Sequence, residues 1–123
     1  MTGFDAERLV AGYLAVWNET DEAARAAKIA ATFTQEVEYT DPLAGVRGHA
    51  ELGALIGAAQ AQFPGMRFRL AGPPDAHHDL VRFTWELADG GGEALVVGSD
   101  VVLVAEDGRI GVVAGFLDRV PVI

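Results

Sequence analysis

The chain has 123 residues, half of them hydrophobic, and this length suits one domain spanning residues 1–123. Its formal charge of -9 makes nucleic acid and anionic membrane surfaces unfavourable partners. The absence of cysteine excludes disulfides, thiolate metal sites and cysteine nucleophiles, and three histidines make only a weak case for a metal. Because the N-terminus lacks a secretory pattern and no apolar run is long enough to span a membrane, we expect a cytoplasmic protein.

The N-terminal part of the chain is predicted to form a helical hairpin. Apolar residues recur at spacings of three and four from Ala6 to Trp17, a pattern typical of an amphipathic helix, and this pattern turns Tyr13 towards the core. Residues 20–22, Thr-Asp-Glu, form a helix-start signal, so a second helix is expected over residues 23–33. The link between the two helices is short, which favours their antiparallel packing.

The sequence then changes from helical spacing to alternation over residues 36–41, which predicts a strand. Tyr39 and Asp41 fall on the apolar face of this strand, so a carboxylate is expected to point inward. Pro42 ends the strand because proline supplies no backbone donor to a sheet. After a loop, a third helix is predicted over residues 49–63, where a Pro-Gly pair stops it.

The remainder of the chain alternates as strands do, and two glycine-containing turns favour an antiparallel meander for the last three of them. The predicted fold class is therefore α+β, with three helices packed on a mostly antiparallel sheet. The strand over residues 94–105 is apolar on both faces, so we expect helices on one side and a second subunit on the other, giving a homodimer through the outer face of the sheet. The predicted strands cover residues 66–71, 80–87, 94–105 and 110–120.

Asp41 is the first candidate for chemistry, because an inward carboxylate that loses water is a usable general base. The alternative is an ordinary Asp-Pro turn, in which the carboxylate accepts hydrogen bonds from nearby backbone N–H groups. Both interpretations remain open from the sequence. The position of Asp41 on the strand, more than its residue type, argues for function.

Asp100 is the second candidate, since it lies in an apolar strand where an unpaired carboxylate would be costly. If its surroundings keep it protonated, it can donate a hydrogen bond to a substrate oxygen. The alternatives are a buried ion pair with Arg82, Arg109 or Arg119, or an exposed position beside a bulge at Gly98.

Other side chains are weaker candidates on their own. Tyr13 could direct its hydroxyl towards developing negative charge, although an inward tyrosine is more often part of the core. His77 and His78 are interpreted as solvated loop residues. Eight aromatic residues could line a pocket for a flat apolar ligand, although several are expected to be core: Trp17, Phe33, Tyr39, Phe63, Phe68, Phe83, Trp85 and Phe116.

The order of elements, together with four short motifs, resembles the nuclear transport factor 2-like superfamily, and in particular its SnoaL-like and ketosteroid isomerase-like members. The motifs are Tyr-Thr-Asp-Pro at 39–42, Gly-Ser-Asp-Val at 98–101, Asp-Gly-Arg-Ile at 107–110 and Gly-Phe-Leu-Asp at 115–118. The resemblance covers nearly the whole chain. It implies a cone-shaped, cystatin-like fold in which the helices and a curved sheet enclose a pocket.

Three positions are most similar to the ketosteroid isomerases: Tyr13, Asp41 and Asp100. The resemblance implies cofactor-independent proton transfer on a small hydrophobic carbonyl compound, by allylic isomerisation or by SnoaL-like cyclisation. Asp41 would be the general base, while Tyr13 and protonated Asp100 would form the oxyanion hole. The alternative is a non-catalytic pocket protein of the same fold that binds a hydrophobic small molecule or serves as a dimeric scaffold.

Overall fold

The structure is a computed structural model that describes residues 4–121. In chain order, these residues form three helices and seven strands: α1 (Ala6–Asn18), α2 (Glu22–Thr32), β1 (Phe33–Thr40), β2 (Gly45–Arg47), α3 (Gly48–Gln62), β3 (Arg67–Leu70), β4 (Asp75–His77), β5 (Leu80–Ala88), β6 (Ala94–Val104) and β7 (Ile110–Arg119). Within the described residues, no helix is both long and apolar enough to cross a membrane.

The strands form one curved sheet in the order β2-β1-β7-β6-β5-β3, with β4 also paired to β5. All neighbouring strands are antiparallel except β1 and β7, which are parallel. The three helices pack on one face of this sheet. The predicted α+β cone and the predicted meander of the last three long strands are therefore confirmed.

The helical hairpin forms as the spacing predicts, and each of its helices has a side-chain cap. The Asp5 carboxylate accepts a hydrogen bond from the Arg8 N–H, and that of Asp21 accepts one from the Ala24 N–H at 2.8 Å. Such caps satisfy backbone donors that the first turn of a helix leaves free. Tyr13 is 2% exposed, so its predicted inward orientation is confirmed.

Three local predictions are wrong. Phe33 does not end the second helix but begins β1, where its buried ring packs in the core. Residues 45–47 and 75–77, expected in loops, form the short strands β2 and β4, which pair at Tyr39↔Val46 and Ala76↔Val81. Three residues are too few to show an alternating pattern, so only the pairing partner makes these segments strands.

The two faces of β6 have different environments. Its buried residues alternate along one face from Val96 to Val104, and Asp100 lies among them. The other face is partly exposed and carries Leu103, which is 38% exposed, opposite Val112 on β7 at 37%. The helices cover the first face only, so the described chain leaves an apolar strip on the outside of the sheet.

Candidate functional site

A cavity of about 580 Å³ lies between the helices and the inner face of the sheet. Tyr13, Asp41 and Asp100 all line it, although they come from α1, the end of β1 and the middle of β6. Most of the remaining wall is aromatic or aliphatic. The three sequence candidates for chemistry are thus brought to one enclosed space.

Tyr13 and Asp100 are hydrogen-bonded to each other. The Tyr13 hydroxyl donates to Asp100 Oδ2 at 2.6 Å. Burial raises the pKa of Tyr13 well above its usual range, and the negative charge of Asp100 raises it further. The phenol therefore keeps its proton in the folded protein and remains a donor.

Asp100 is 3% exposed, and among the described residues it forms no ion pair with an arginine. Arg82 and Arg109 instead pair with Asp75 and Asp107, and Arg119 donates to a backbone carbonyl. The sequence alternatives for Asp100, a buried ion pair or an exposed position, are therefore wrong.

Burial is the main cause that raises the pKa of Asp100, to about 6. Hydrogen bonds from Tyr13 and Trp85 oppose this rise, whereas the charges of Asp41 and Asp118 add to it. Because an apolar site disfavours a carboxylate, Asp100 changes protonation state in the mildly acidic range. Below that range it can donate a hydrogen bond, and above it can only accept.

Asp41 follows the last residue of β1 and is held by four hydrogen bonds. Its Oδ1 accepts from the N–H groups of Leu43 and Ala44, both at 2.8 Å, and its Oδ2 accepts from the Tyr39 hydroxyl at 2.7 Å. Its own N–H donates to the Ala44 carbonyl at 2.9 Å. The turn interpretation and the inward interpretation are both realised, because one oxygen caps the turn and the residue also lines the cavity.

Gly115 on β7 separates the two carboxylates. A Cβ at this position would lie 2.8 Å from Asp100 Oδ1 and 3.4 Å from Asp41 Cβ. A contact of 2.8 Å is shorter than real Cβ atoms show, so the absence of a side chain here leaves room for Asp100 Oδ1. Asp41 and Asp100 therefore both lie close to Gly115.

The aromatic candidates divide into two groups. Phe33 and Phe83 are buried against Tyr13, with ring centroids 5.8 Å and 5.1 Å from its ring, and do not line the cavity. Phe116 is 60% exposed on the outer face of the sheet and does not line it either. The cavity wall contains the other five: Trp17, Tyr39, Phe63, Phe68 and Trp85.

The chain matches a known protein family over most of its length. A model of the SnoaL-like domain matches residues 10–112. The chain belongs to the SnoaL-like family. A SnoaL-like protein of known structure from Agrobacterium tumefaciens, provisionally named an isomerase, is 39% identical and superposes with a TM-score of 0.88. That match covers 93% of this chain and 97% of the other.

Two more distant structures share the fold. A nuclear transport factor 2-like protein of unknown function from Exiguobacterium is 19% identical, with a TM-score of 0.70 over 89% of this chain and 98% of the other. A protein from Jannaschia, provisionally named a SnoaL-like polyketide cyclase, is 17% identical, with a TM-score of 0.69 over 94% and 92%. No curated protein matches the chain.

In this SnoaL-like chain, a polar network missed by the sequence analysis fixes the end of α1. The Arg25 side chain, only 8% exposed, donates to the Glu19 carbonyl at 3.1 Å and to Gln60 Oε1 at 2.9 Å. Gln60 in turn donates to the Trp17 carbonyl at 2.9 Å. These hydrogen bonds link α2 and α3 to the end of α1 that carries Trp17. The residues are far apart in the sequence, so only the folded structure shows the network.

Asn18 attaches the same end of α1 to the sheet. Its side chain donates to the Phe68 carbonyl and accepts from the Phe68 N–H, both at 2.8 Å. These two bonds satisfy the backbone N–H and carbonyl of Phe68 in the way that a paired strand would. Trp17 and Phe68 consequently meet edge to face, with ring centroids 5.4 Å apart.

Gly98 positions the indole of Trp85, another contact that the sequence did not reveal. A Cβ on Gly98 would lie 2.1 Å from Trp85 Cζ2, so only glycine allows the ring to cross β6 at this point. The ring also meets Phe68 edge to face at 5.3 Å. The Trp85 indole therefore forms the cavity wall beside Asp100.

The remaining candidates lie outside the site. His77 and His78 are both exposed, as predicted, but His77 is the last residue of β4 and not a loop residue. Across the described part of the chain, no group of three or more His, Asp or Glu side chains could hold a metal ion.

Proposed function

We propose that this SnoaL-like protein catalyses cofactor-independent proton transfer on a small hydrophobic carbonyl compound. Asp41 acts as the general base, and Tyr13 with protonated Asp100 forms the oxyanion hole. The observation that carries the proposal is that all three side chains line one mainly apolar cavity, with Asp41 and Asp100 on either side of Gly115. A base opposite hydrogen-bond donors is the arrangement that enolisation requires.

In the proposed reaction, the bond between hydrogen and the carbon next to the carbonyl breaks, and the proton moves to the Asp41 carboxylate. The electron pair of that bond forms an enolate, whose charge resides on the carbonyl oxygen near Tyr13 and Asp100. Return of the proton to a more distant carbon completes an allylic isomerisation. Attack of the enolate carbon on a second carbonyl of the same molecule instead gives a cyclisation, with the proton passing to the new alkoxide.

The surroundings of each group suit its role. The hydrogen bonds from backbone N–H groups to Oδ1 of Asp41 fix the carboxylate in one orientation. This lowers the entropic cost of bringing the base to the reacting carbon. The raised pKa of Tyr13 keeps the phenol protonated, and its one proton, which Asp100 accepts in the structure, must rotate towards the enolate oxygen. Asp100 shares this task when it is protonated, because a neutral carboxyl is a donor.

The alternative function is binding without catalysis, and one observation favours it. Both oxygens of Asp41 already accept hydrogen bonds, from Tyr39 on one side and from the turn on the other. A proton transferred to either oxygen must compete with these donors. A pocket protein that binds the same hydrophobic carbonyl compound would retain the cavity and its donors without a working base.

Exchange of carbon-bound hydrogen distinguishes these two functions. We expect the protein to accelerate the exchange of deuterium next to the carbonyl of β-tetralone, and Asp41→Asn to abolish the acceleration while binding persists. Isomerisation of a β,γ-unsaturated 3-ketosteroid by the same pair of proteins tests the allylic reaction. Exchange by the unsubstituted protein at the rate of buffer, with β-tetralone bound, would reject the catalytic function and leave the binding function.

A further inference from the structure

The cavity is deep, and Asp100 lies at its inner end. Val96 and Asp100 both line it and are four positions apart on β6, which is about 13 Å of extended strand. Beyond Asp100 the interior is packed, because Val102 is fully buried and Phe83, the partner of Asp100 on β5, does not line the cavity. The volume of about 580 Å³ is in the range of cavities that enclose drug-sized ligands.

The opposite end of the cavity is open. Because β1 and β7 are parallel, the loop after β1 and the residues after β7 lie at the same end of the sheet. Leu43 from that loop is 82% exposed, Val120 after β7 is 52% exposed, and both line the cavity. Arg119 pairs with Val97, which puts Val120 level with Val96. The mouth of the cavity is therefore at the Val96 end, away from Asp100.

Gln62, the last residue of α3, lies at this mouth, where it is exposed and lines the cavity. Hydrogen bonds from Gln60 hold this end of α3 to the end of α1, where Asn18 bonds the backbone of β3. The residue of β3 that Asn18 bonds is paired with Leu87, whose other partner is Val96. These contacts place the end of α3 over the Val96 level of the sheet.

The amide of Gln62 differs from the rest of the mouth. Among the described residues, the other exposed members of the cavity wall are apolar: Leu43, Ala58, Val120 and Pro121. Within residues 4–121 the Gln62 side chain has no hydrogen-bond partner. A side-chain amide carries two donor hydrogens and an acceptor oxygen, so it can pair with a hydroxyl or with a carbonyl. A ligand that fills the cavity from floor to mouth brings its far end within reach of this amide.

We propose that Gln62 is a specificity-determining residue, which binds a second oxygen at the far end of the ligand. The ligand is then an elongated hydrophobic compound with a carbonyl at the Asp100 end and a hydroxyl or a second carbonyl at the mouth. The carbonyl at the Asp100 end rests on the proposed function, whereas the contact with Gln62 depends on no reaction. Because no Lys or Arg among the described residues lines the cavity, the far group is neutral and not anionic.

Two ketones that differ only at the far end test this contact. In 4-(4-hydroxyphenyl)cyclohexanone two rings joined end to end separate a hydroxyl from the carbonyl, and 4-phenylcyclohexanone lacks the hydroxyl. In the spectrum of the ¹⁵N-labelled protein, Gln62→Met assigns the side-chain amide signals of Gln62 by removing them. We expect the hydroxyketone to shift these signals and the plain ketone to leave them nearly unchanged. The spectra of the complexes use the unsubstituted protein, so they do not depend on the folding of the variant.

Binding to Gln62→Met supplies the second measurement, since methionine has a similar length and lacks the amide. We expect the unsubstituted protein to prefer the hydroxyketone by about 3- to 10-fold, as one neutral hydrogen bond predicts, and Gln62→Met to lose this preference. The affinity for the plain ketone should not fall. Gln35→Met is the matched control, because Gln35 is exposed on β1 and does not line the cavity, and it should keep the preference.

Three results would overturn the proposal: equal losses of affinity for both ketones in Gln62→Met, Gln62 signals that respond equally to both, or failure of either ketone to bind. Failure of the proposed function gives a different pattern. In that case the hydroxyketone still shifts the Gln62 signals and Gln62→Met still loses the preference, while the protein does not accelerate deuterium exchange next to either carbonyl.

Discussion

The Tyr13 hydroxyl donates to Asp100 Oδ2 across 2.6 Å, in a hydrogen bond that joins α1 to the middle of β6. Because Asp100 is 3% exposed and has no cation beside it, this bond does not offset the loss of water around the carboxylate. The free energy of unfolding therefore depends on the protonation of Asp100. Its pKa rises on folding from 3.8 to about 6, so the folded state holds the proton more tightly than the unfolded state.

We expect stability from this group to be fully present below pH 3.8 and to be lost as the pH rises through about 6. The change amounts to about 3 kcal/mol. In Asp100→Asn the side chain can still accept the hydrogen bond from Tyr13 but cannot titrate. We expect the pH-dependent fall in stability to disappear and the variant to be more stable than the unsubstituted protein at pH 8. Urea unfolding of both proteins between pH 4 and pH 8 measures the effect. Parallel curves for the two proteins would contradict it.

Catalysis should depend on the same proton. Because the proposed oxyanion hole needs Asp100 as a donor, we expect kcat/KM for deuterium exchange on β-tetralone to fall as the pH rises through about 6. In Asp100→Asn the amide donates at every pH, so this fall should disappear while activity remains. A profile of unsubstituted protein that stays flat from pH 5 to pH 8 would remove Asp100 from the oxyanion hole.

Ligand charge should also matter. Asp41 and Asp100 line the cavity, and no Lys or Arg among the described residues lines it with them. Introducing a carboxylate into this apolar space adds repulsion to the cost of desolvation. We expect tetralin carboxylate to bind at least 10-fold more weakly than β-tetralone at pH 8, with the difference shrinking in Asp100→Asn. Equal affinities, measured by calorimetry, would show that the carboxylates do not face the ligand.

Gly98 should tolerate no side chain. Alanine there would place a carbon 2.1 Å from the present position of Trp85 Cζ2, so the indole must leave the cavity wall. We expect Gly98→Ala to cost about 1–3 kcal/mol in urea unfolding and to weaken β-tetralone binding. Gly12→Ala on α1 is the control, since nothing lies within 4 Å of its new methyl group, and it should gain about 0.5–1 kcal/mol. Equal effects at both glycines would argue against the contact.

A homodimer through the outer face of the sheet remains a prediction, which the apolar character of β6 suggests. Phe116, which is 60% exposed, lies opposite Ser99 on that face, and the apolar pair of Leu103 and Val112 lies further along the same two strands. We expect sedimentation to show a dimer and Phe116→Glu to shift it to monomer, because a charge in an apolar interface is strongly unfavourable. Leu43→Glu, in the exposed loop after β1, is the control and should remain dimeric. A monomeric unsubstituted protein would reject the prediction.

Sequence periodicity was sufficient for the long elements and for the inward faces of Tyr13 and Asp41, since these depend only on local spacing. It misplaced Phe116 for a definite reason. The pairing of β6 with β7 shifts between Leu103 and Val104, whose partners are Val112 and Ile110, so the residues that face inward change from even to odd numbers. As a result Gly115, and not Phe116, lies on the inner face of the sheet beside Asp100.

Contacts between distant residues were also invisible in the sequence. Arg25 is an ordinary surface residue by its helical position, yet it is buried because Gln60 and the Glu19 carbonyl supply acceptors. Helix packing likewise determines that Phe33 and Phe83 lie in the core and not in the cavity wall with the other aromatic residues. Side-chain periodicity shows which face is apolar but does not distinguish packed core from cavity wall.

Gly115 makes the chemistry of this chain easy to lose while the fold persists. Gly115 does not have a left-handed backbone, so the strand itself can accommodate a larger residue. The added side chain would instead press on Asp100 and Asp41. One added methyl group there is therefore expected to disturb the proposed proton-transfer site while the sheet persists.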